Sequence, residues 1–184
     1  RGEQFLDVAP QGQQPEEQFW SGEGDATRAV NALYANLRGW PQVAFAAIAI
    51  ESLGSDEAEK GSSPSDATFL NAFDDFTVTS TDGQIADFWG GQYQSVNLAN
   101  QVLTNVPDID MDGALKERYL AEAKFVRAYA YFRLVRAFGD VPWYSRPLNT
   151  NDSAELKAPR QKRNIVADSI LADLDMAISL LDPA

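Results

Sequence analysis

The chain has 184 residues, with 15 basic and 27 acidic side chains and a formal net charge of −12. It contains neither cysteine nor histidine, which excludes disulfides, cysteine nucleophiles, histidine general bases and the usual zinc sites. The acidic excess repels phosphate backbones, so we expect no nucleic-acid partner.

The chain is predicted to begin with an extended segment and one helix. Prolines and a glycine exclude a helix over residues 1–20. Apolar residues recur at three- and four-residue spacing over 25–38, which predicts a helix that ends before Gly39. Asp25 or Ser21 is the candidate N-cap of that helix.

The next two segments are less regular. The apolar run in 41–53 fits either a buried strand or a helix, and its four alanines and leading proline favour the helix. Residues 54–83 are rich in glycine, serine and aspartate and predict a long irregular connection, which in a compact domain is usually functional or locally ordered by its side chains. Phe69, Phe73 and Phe76 lie at helical spacing within it and predict a short helix there.

Two long helices, a loop and a last helix are predicted to follow. An apolar stripe indicates a helix over 84–105, and a second helix over 113–138 is apolar nearly all round in its second half, so we expect packing on several sides. A polar loop over 145–163 leads to the last helix, which Asn164 is expected to cap. Four or five antiparallel helices without alternating strands predict an all-α fold, most naturally a tetratricopeptide-like helical repeat, although no clear 34-residue self-repeat is present.

Two acidic clusters admit a metal-binding or catalytic interpretation. The run 108–113 matches the first half of an EF-hand loop, but Tyr119 stands where the bidentate glutamate belongs, which favours a charged turn before a helix. Asp74 and Asp75 are adjacent, so their carboxyls diverge and do not form the facing pair of a glycosidase. The sequence therefore predicts no catalytic residue, metal site or cofactor.

The aromatic residues offer flat apolar faces that suit stacking on sugars. Because most of them lie at helical spacing, packing in the core is the favoured interpretation for the whole set. The set comprises Trp20, Trp40, Trp89, Trp143, Tyr93, Tyr129, Tyr131 and Tyr144. For Arg127, Arg133 and Arg136 we expect pairing with acids or carbonyls rather than an anion site.

One stretch carries a family likeness. Residues 122–144 read EAKFVRAYAYFRLVRAFGDVPWY and closely resemble the signature of the RagB/SusD family. Segments 5–10, 89–100 and 170–181 resemble other parts of that family in the same order. Because family members are much longer, the resemblance implies that residues 1–184 form the N-terminal portion of a single helical domain.

The resemblance implies a cell-surface lipoprotein of a Gram-negative outer membrane, anchored by a lipidated cysteine that would precede Arg1. Such proteins lie as a lid on a SusC-like TonB-dependent transporter barrel, capture oligosaccharides or peptides, and deliver them inward. They are not enzymes, and no cofactor is implied. Two alternatives are a helical-repeat scaffold that binds proteins without a small ligand and a carboxylate glycosidase.

The family's ligand-facing insertion resembles residues 54–83 in its place along the chain. That insertion contains no tryptophan here, so a stacking platform is not evident from it. The polar residues that we predict to contact ligand are Asp56, Glu57, Lys60, Asn71, Asp74 and Asp75.

Overall fold

The computed structural model describes residues 19–149 and 152–181. Its helices, in chain order, are α1 (Glu23–Leu37), α2 (Trp40–Val43), α3 (Phe45–Ile48), α4 (Asn71–Asp74), α5 (Gly83–Asn105), α6 (Gly113–Phe138), α7 (Ser153–Leu156) and α8 (Arg163–Leu180). A π-helical turn (Ala49–Leu53) and two 3₁₀ turns (Thr68–Leu70 and Val106–Asp108) accompany them. Extended pairing within the described ranges amounts to one antiparallel bridge between Val141 and Gln161, and the all-α prediction is confirmed. The extended segment expected over residues 1–20 lies almost entirely outside the described residues.

The predicted helix caps were partly wrong. Helix α1 follows Gly22, and Asp25 lies inside its first turn, where its carboxylate accepts hydrogen bonds from the backbone and hydroxyl of Ser21 at 3.0 and 2.7 Å. These bonds hold the pKa of Asp25 below its usual value. Helix α8 begins at Arg163 rather than after Asn164. The backbone amide of Arg163 donates to the Asp140 carboxylate at 2.9 Å. That acceptor comes from a distant part of the chain and replaces a local cap.

The ambiguous segment 41–53 is helical, as favoured, but it is interrupted. Ala44 has φ −108° and ψ −142°, so α2 ends there and α3 starts in a new direction before the π-helical turn. The break turns Gln42 into the interior. Its amide donates to the Gly91 carbonyl of α5 at 2.7 Å, which ties the short helices to the long one.

The long helices pack antiparallel to their neighbours. Asn36 near the end of α1 donates to the Ser95 hydroxyl near the middle of α5 at 2.7 Å, whereas Ala26 near the start of α1 shares a core cluster with Val102 near the end of α5. Asn100 of α5 accepts from Arg127 of α6 at 2.7 Å. Apolar side chains from α1, α5 and the first half of α6 form one core cluster, and those from α5, α6 and α8 form another. Helix α6 therefore lies at the centre of the described fold.

An ion-pair cluster joins α5, α6 and α8. The Arg127 guanidinium donates to both carboxylate oxygens of Asp173, at 2.6 and 2.7 Å, and Lys124 donates to the same carboxylate at 2.9 Å. Arg133 pairs with Glu51 at 2.7 Å. The prediction that the arginines pair with acids is thus confirmed for Arg127 and Arg133, whereas Arg136 lies over the exposed Phe132 ring, 5.4 Å from its centroid.

An aromatic layer holds the chain that leaves α6. Tyr131 stacks on Trp143 with ring centroids 4.2 Å apart, and its hydroxyl accepts from the Tyr144 amide at 2.6 Å. The Tyr93 hydroxyl donates to the Pro142 carbonyl at 2.7 Å. Burial raises the pKa of both Tyr93 and Tyr131, so the Tyr93 hydroxyl keeps the proton that it donates to Pro142 well above physiological pH.

Helix α6 is packed on several sides, as expected, but one of its faces is exposed. Phe125, Tyr129 and Phe132 are each 42–49% exposed, so core packing was wrong for Tyr129 and right for Tyr131. The reason is geometric, because α1, α5 and α8 cover three sides of α6 and no other described residue covers the fourth. No helix in the described part of the chain combines the length and the hydrophobicity needed to cross a membrane.

Candidate functional site

The irregular segment between the π-helical turn and α5 is anchored by a small core of its own. Leu53, Leu70 and Phe73 are buried together with Ala49, and Ile85 of α5 packs against them. The predicted short helix at the phenylalanines is confirmed as a 3₁₀ turn followed by α4. The middle of this long connection is thus tied to α5 and the π-helical turn by its buried apolar side chains.

An aromatic ladder lies where this segment meets α2. Trp40 and Phe45 meet edge to face with centroids 5.3 Å apart, and Phe45 meets Phe69 in the same way at 5.2 Å. Trp40 is 64% exposed and Phe69 is 42% exposed. Two large aromatic rings from separate parts of the chain therefore reach solvent on either side of one shared, half-buried ring.

Two non-glycine residues in the segment have left-handed backbone conformations. Ala67 has φ 43° and directly precedes the turn that carries Phe69, while Phe76 has φ 54° and lies two residues after the end of α4. Positive φ costs free energy for residues with a Cβ atom and is often retained at functional sites. Phe76 is largely exposed, so the strained backbone presents another aromatic ring to solvent.

The six predicted polar residues are only partly brought together. The Asp74 carboxylate accepts the Lys60 backbone amide at 3.3 Å, while the Lys60 ammonium donates to the Ser63 carbonyl at 3.0 Å. Asn71 starts α4 and is half-buried. Asp56 and Glu57 are exposed near the start of the segment, and Asp75 is exposed after α4. Lys60 and Asp74 thus shape the loop as much as they face solvent.

Sequence analysis missed Trp40 as a surface residue. Helical spacing placed it in the core, but it is the first residue of α2 and directly precedes Pro41. The first residue of a short helix has few neighbours, since the chain before it runs away from the packed face. The Gly-Trp-Pro run that breaks the helical pattern was the available signal.

The short α2 and the π-helical turn are held firmly beneath this surface. Arg133 of α6 donates to both carboxylate oxygens of Glu51, at 2.7 and 2.8 Å, and to the Gln42 side chain at 2.7 Å. The guanidinium is buried. The aromatic ladder therefore stands on a rigid base, a condition for presenting rings to a ligand with little loss of entropy on binding.

The acidic run before α6 serves the helix. The Asp112 carboxylate accepts the Leu115 amide at 2.8 Å and so caps α6, in agreement with the interpretation of this run as a charged turn. Among the described residues no group of three or more acidic side chains is arranged to hold a metal ion. The exposed rings of the ladder can stack on flat apolar faces of a ligand, and the polar side chains of segment 54–83 can form hydrogen bonds beside them.

The fold and this surface define a helical-repeat protein whose irregular insertion displays aromatic side chains. A family model described as "Starch-binding associating with outer membrane" (SusD-like) matches residues 4–183. The chain belongs to the SusD-like family, and the recognition made from the signature around α6 is confirmed.

Individual relatives agree with this assignment. A SusD-like protein of Formosa agariphila, P2, is 28% identical over 94% of this chain, and one of Bacteroides ovatus is 31% identical over 74% of it. A solved laminarin-binding SusD-like protein is 30% identical over 88% of the chain, with a TM-score of 0.75. Another, from Bacteroides fragilis, is 25% identical over 90% of it, with a TM-score of 0.71.

The chain is short beside these proteins. It spans 34% of the Formosa protein and 24% of the Bacteroides ovatus protein. It likewise spans 34% of the laminarin-binding chain and 31% of the Bacteroides fragilis chain. The similarity thus covers nearly all of the 184 residues but about a third of most of these relatives.

Proposed function

We propose that the protein captures glycans at the cell surface and delivers them to a TonB-dependent transporter of the outer membrane. In this proposal residues 1–184 are the N-terminal part of a SusD-like domain held to the membrane by a lipid anchor. The protein has no catalytic role of its own. Membership of a family described as starch-binding supports glycan over peptide as the ligand, as does the laminarin-binding relative.

The observation that carries the ligand proposal is the exposed aromatic ladder. Trp40 and Phe69 are exposed on either side of the half-buried Phe45, with ring planes at 87° and 72° to it. A pyranose ring has an apolar face that packs on such a ring and hydroxyls that hydrogen-bond at its rim. The polar residues predicted from the insertion, among them Lys60 and Asn71, would meet those hydroxyls.

The first prediction concerns Trp40. In calorimetric titrations of the full-length protein with starch and laminarin oligosaccharides, Trp40→Ala weakens binding by about 0.5–1.5 kcal/mol, roughly two- to twelvefold, because one ring contact is lost. Leu156→Ala removes an exposed apolar side chain from α7 and leaves affinity unchanged. Unaltered affinity in the Trp40 variant contradicts the proposed surface, and binding of a peptide pool in place of both glycans contradicts the ligand class.

The second prediction concerns the partner. Affinity purification of the full-length protein from solubilised outer membranes recovers a large β-barrel transporter, because a capture protein must stand next to the route of entry. Recovery of soluble proteins instead would favour the alternative, a helical-repeat interaction scaffold without a small ligand. The Trp40→Ala variant is the internal control, since it alters the ligand surface and should retain the barrel.

A further inference from the structure

The segment beside the aromatic ladder carries much of the negative charge of the chain. Residues 54–83 contain seven acidic side chains and one basic side chain, Lys60, which leaves the segment with a formal charge of −6. This is half of the net charge of −12 that the 184 residues carry. The surface around the proposed glycan site is therefore far more acidic than the average of the chain.

Most of these acidic side chains lie at the surface. Two of the seven serve the fold, because the Asp82 carboxylate caps α5 by accepting the Gln84 amide at 2.8 Å and Asp74 accepts the Lys60 amide. The other five are exposed and carry their formal charge into the solvent around the segment. They are Asp56, Glu57, Glu59, Asp66 and Asp75.

The aromatic ladder and three of the exposed acids share one support. Phe45, the central ring of the ladder, packs against the small core beneath the segment, and so do Ala58 and Ala67. Neighbouring Cα atoms lie about 3.8 Å apart, so residues next to these alanines in the chain belong to the same small surface as the ladder. Those next to them are Glu57, Glu59 and Asp66.

The basic side chains described beside the ladder do not balance these acids. The buried Arg133 guanidinium donates to both carboxylate oxygens of Glu51, so its charge is already compensated. The Lys60 ammonium donates to a backbone carbonyl of its own segment at 3.0 Å. Arg38 is exposed two positions before Trp40, and this one guanidinium stands against five exposed carboxylates.

We propose that this surface selects neutral glycans and rejects anionic ones, such as uronate-containing or sulfated polysaccharides. The selectivity rests on the proposed function and names the class of glycan. A carboxylate or sulfate on a ligand that stacks on the ladder approaches the exposed acids at distances comparable to the Debye length, about 10 Å at 0.1 M salt. Such juxtaposition of like charges suppresses the wrong partner, whereas stacking of a neutral pyranose on Trp40 and Phe69 meets no repulsion.

Matched neutral and anionic ligands test the selectivity. The full-length protein is titrated calorimetrically with starch and laminarin oligosaccharides, and with the same oligosaccharides after oxidation of their C6 hydroxyls to carboxylates. At 0.01 M salt we expect the carboxylated forms to bind at least about tenfold more weakly than the neutral forms. At 1 M salt the difference falls below about threefold, because the Debye length shortens from about 30 Å to about 3 Å.

A pair of double variants assigns the selectivity to the acidic segment. Glu59→Gln with Asp66→Asn removes two exposed charges outside the six residues predicted to contact ligand. At 0.1 M salt this variant binds the carboxylated ligand about threefold more tightly than the unaltered protein and binds the neutral ligand equally well. Asp168→Asn with Asp175→Asn, on exposed positions of α8, changes the net charge by the same amount and leaves both affinities unaltered.

The possible failures are distinguishable. Neutral and carboxylated ligands that bind equally at 0.01 M salt overturn the selectivity and leave glycan capture standing. A difference that salt does not reduce also overturns it, because the lost C6 hydroxyl rather than charge would then be the cause. Equal effects of the two double variants assign the discrimination to net charge alone and refute the role of the segment. Binding of neither form of the glycans contradicts the proposed function itself.

Discussion

Asp173→Asn lowers the free energy of unfolding by about 3–5 kcal/mol, the range for a buried ion pair that loses one partner. Asp173 and Arg127 are both buried and share two hydrogen bonds, while Lys124 adds a third to the same carboxylate. With an amide in place of the carboxylate, the Arg127 guanidinium stays in the interior uncompensated. Its remaining strong acceptor is the Asn100 side chain at 2.7 Å.

The damage extends beyond the pair itself. The Asn100 amide also holds the carbonyls of Tyr144 and Arg146, both at 3.0 Å, so the cluster fixes the chain after α6 as well as α8. Urea unfolding followed by far-ultraviolet circular dichroism measures the change. Asp175→Asn, on an exposed position of the same helix, is the control and shifts stability by less than about 0.5 kcal/mol. Equal unfolding midpoints for the two variants would refute the structural role of the cluster.

The sequence was sufficient for the long helices because their signals are local. Helix α6 has its N-cap at Asp112 and ends at Gly139, which adopts φ 70°. Both signals lie beside the apolar pattern that they delimit, so the predicted bounds of α6 agree with the observed ones. The signature around Tyr131 identified the family for a similar reason, since it is one continuous stretch.

The features that sequence reasoning missed depend on distant contacts. The start of α8 is set by Asp140, which lies 23 positions before Arg163 and meets it because the chain folds back at that point. The break at Ala44 accompanies the burial of Gln42, whose side-chain amide donates to Gly91 of α5 and whose carbonyl accepts from Arg133 of α6. The start of α8 and the break at Ala44 are therefore not determined by neighbouring residues alone, and the local sequence pattern does not predict them.

The candidate site shows the same limit more sharply. Periodicity assigns a residue to a helix face, but exposure depends on which faces find neighbours. Trp40 and Tyr129 were both expected in the core and both are exposed, one at the start of a short helix and the other on the open side of α6. The ligand roles of Lys60 and Asp74 stay predictions, because any partners supplied by the rest of the full-length protein lie outside this chain.

Two adjacent glycines of α5 offer the sharpest test of the packing beneath the ligand surface. Gly91→Ala lowers the free energy of unfolding by about 1–3 kcal/mol, because overpacking a filled interior forces its neighbours apart. A Cβ atom at Gly91 would lie 2.6 Å from the Cβ of Pro41 in α2, and neither the proline ring nor the helix can yield without moving the other. Gly91 itself is buried.

Gly90→Ala has the opposite sign and is the matched control. Among the described residues no atom lies within 4 Å of a Cβ atom added there, so the substitution gains up to about 1 kcal/mol from the higher helix propensity of alanine. Thermal unfolding of the two variants, side by side, therefore shifts the melting temperature in opposite directions. Equal shifts would mean that α2 does not pack on α5 at Gly91. Because Pro41 directly follows Trp40 in α2, the rigid base proposed for Trp40 would then be contradicted as well.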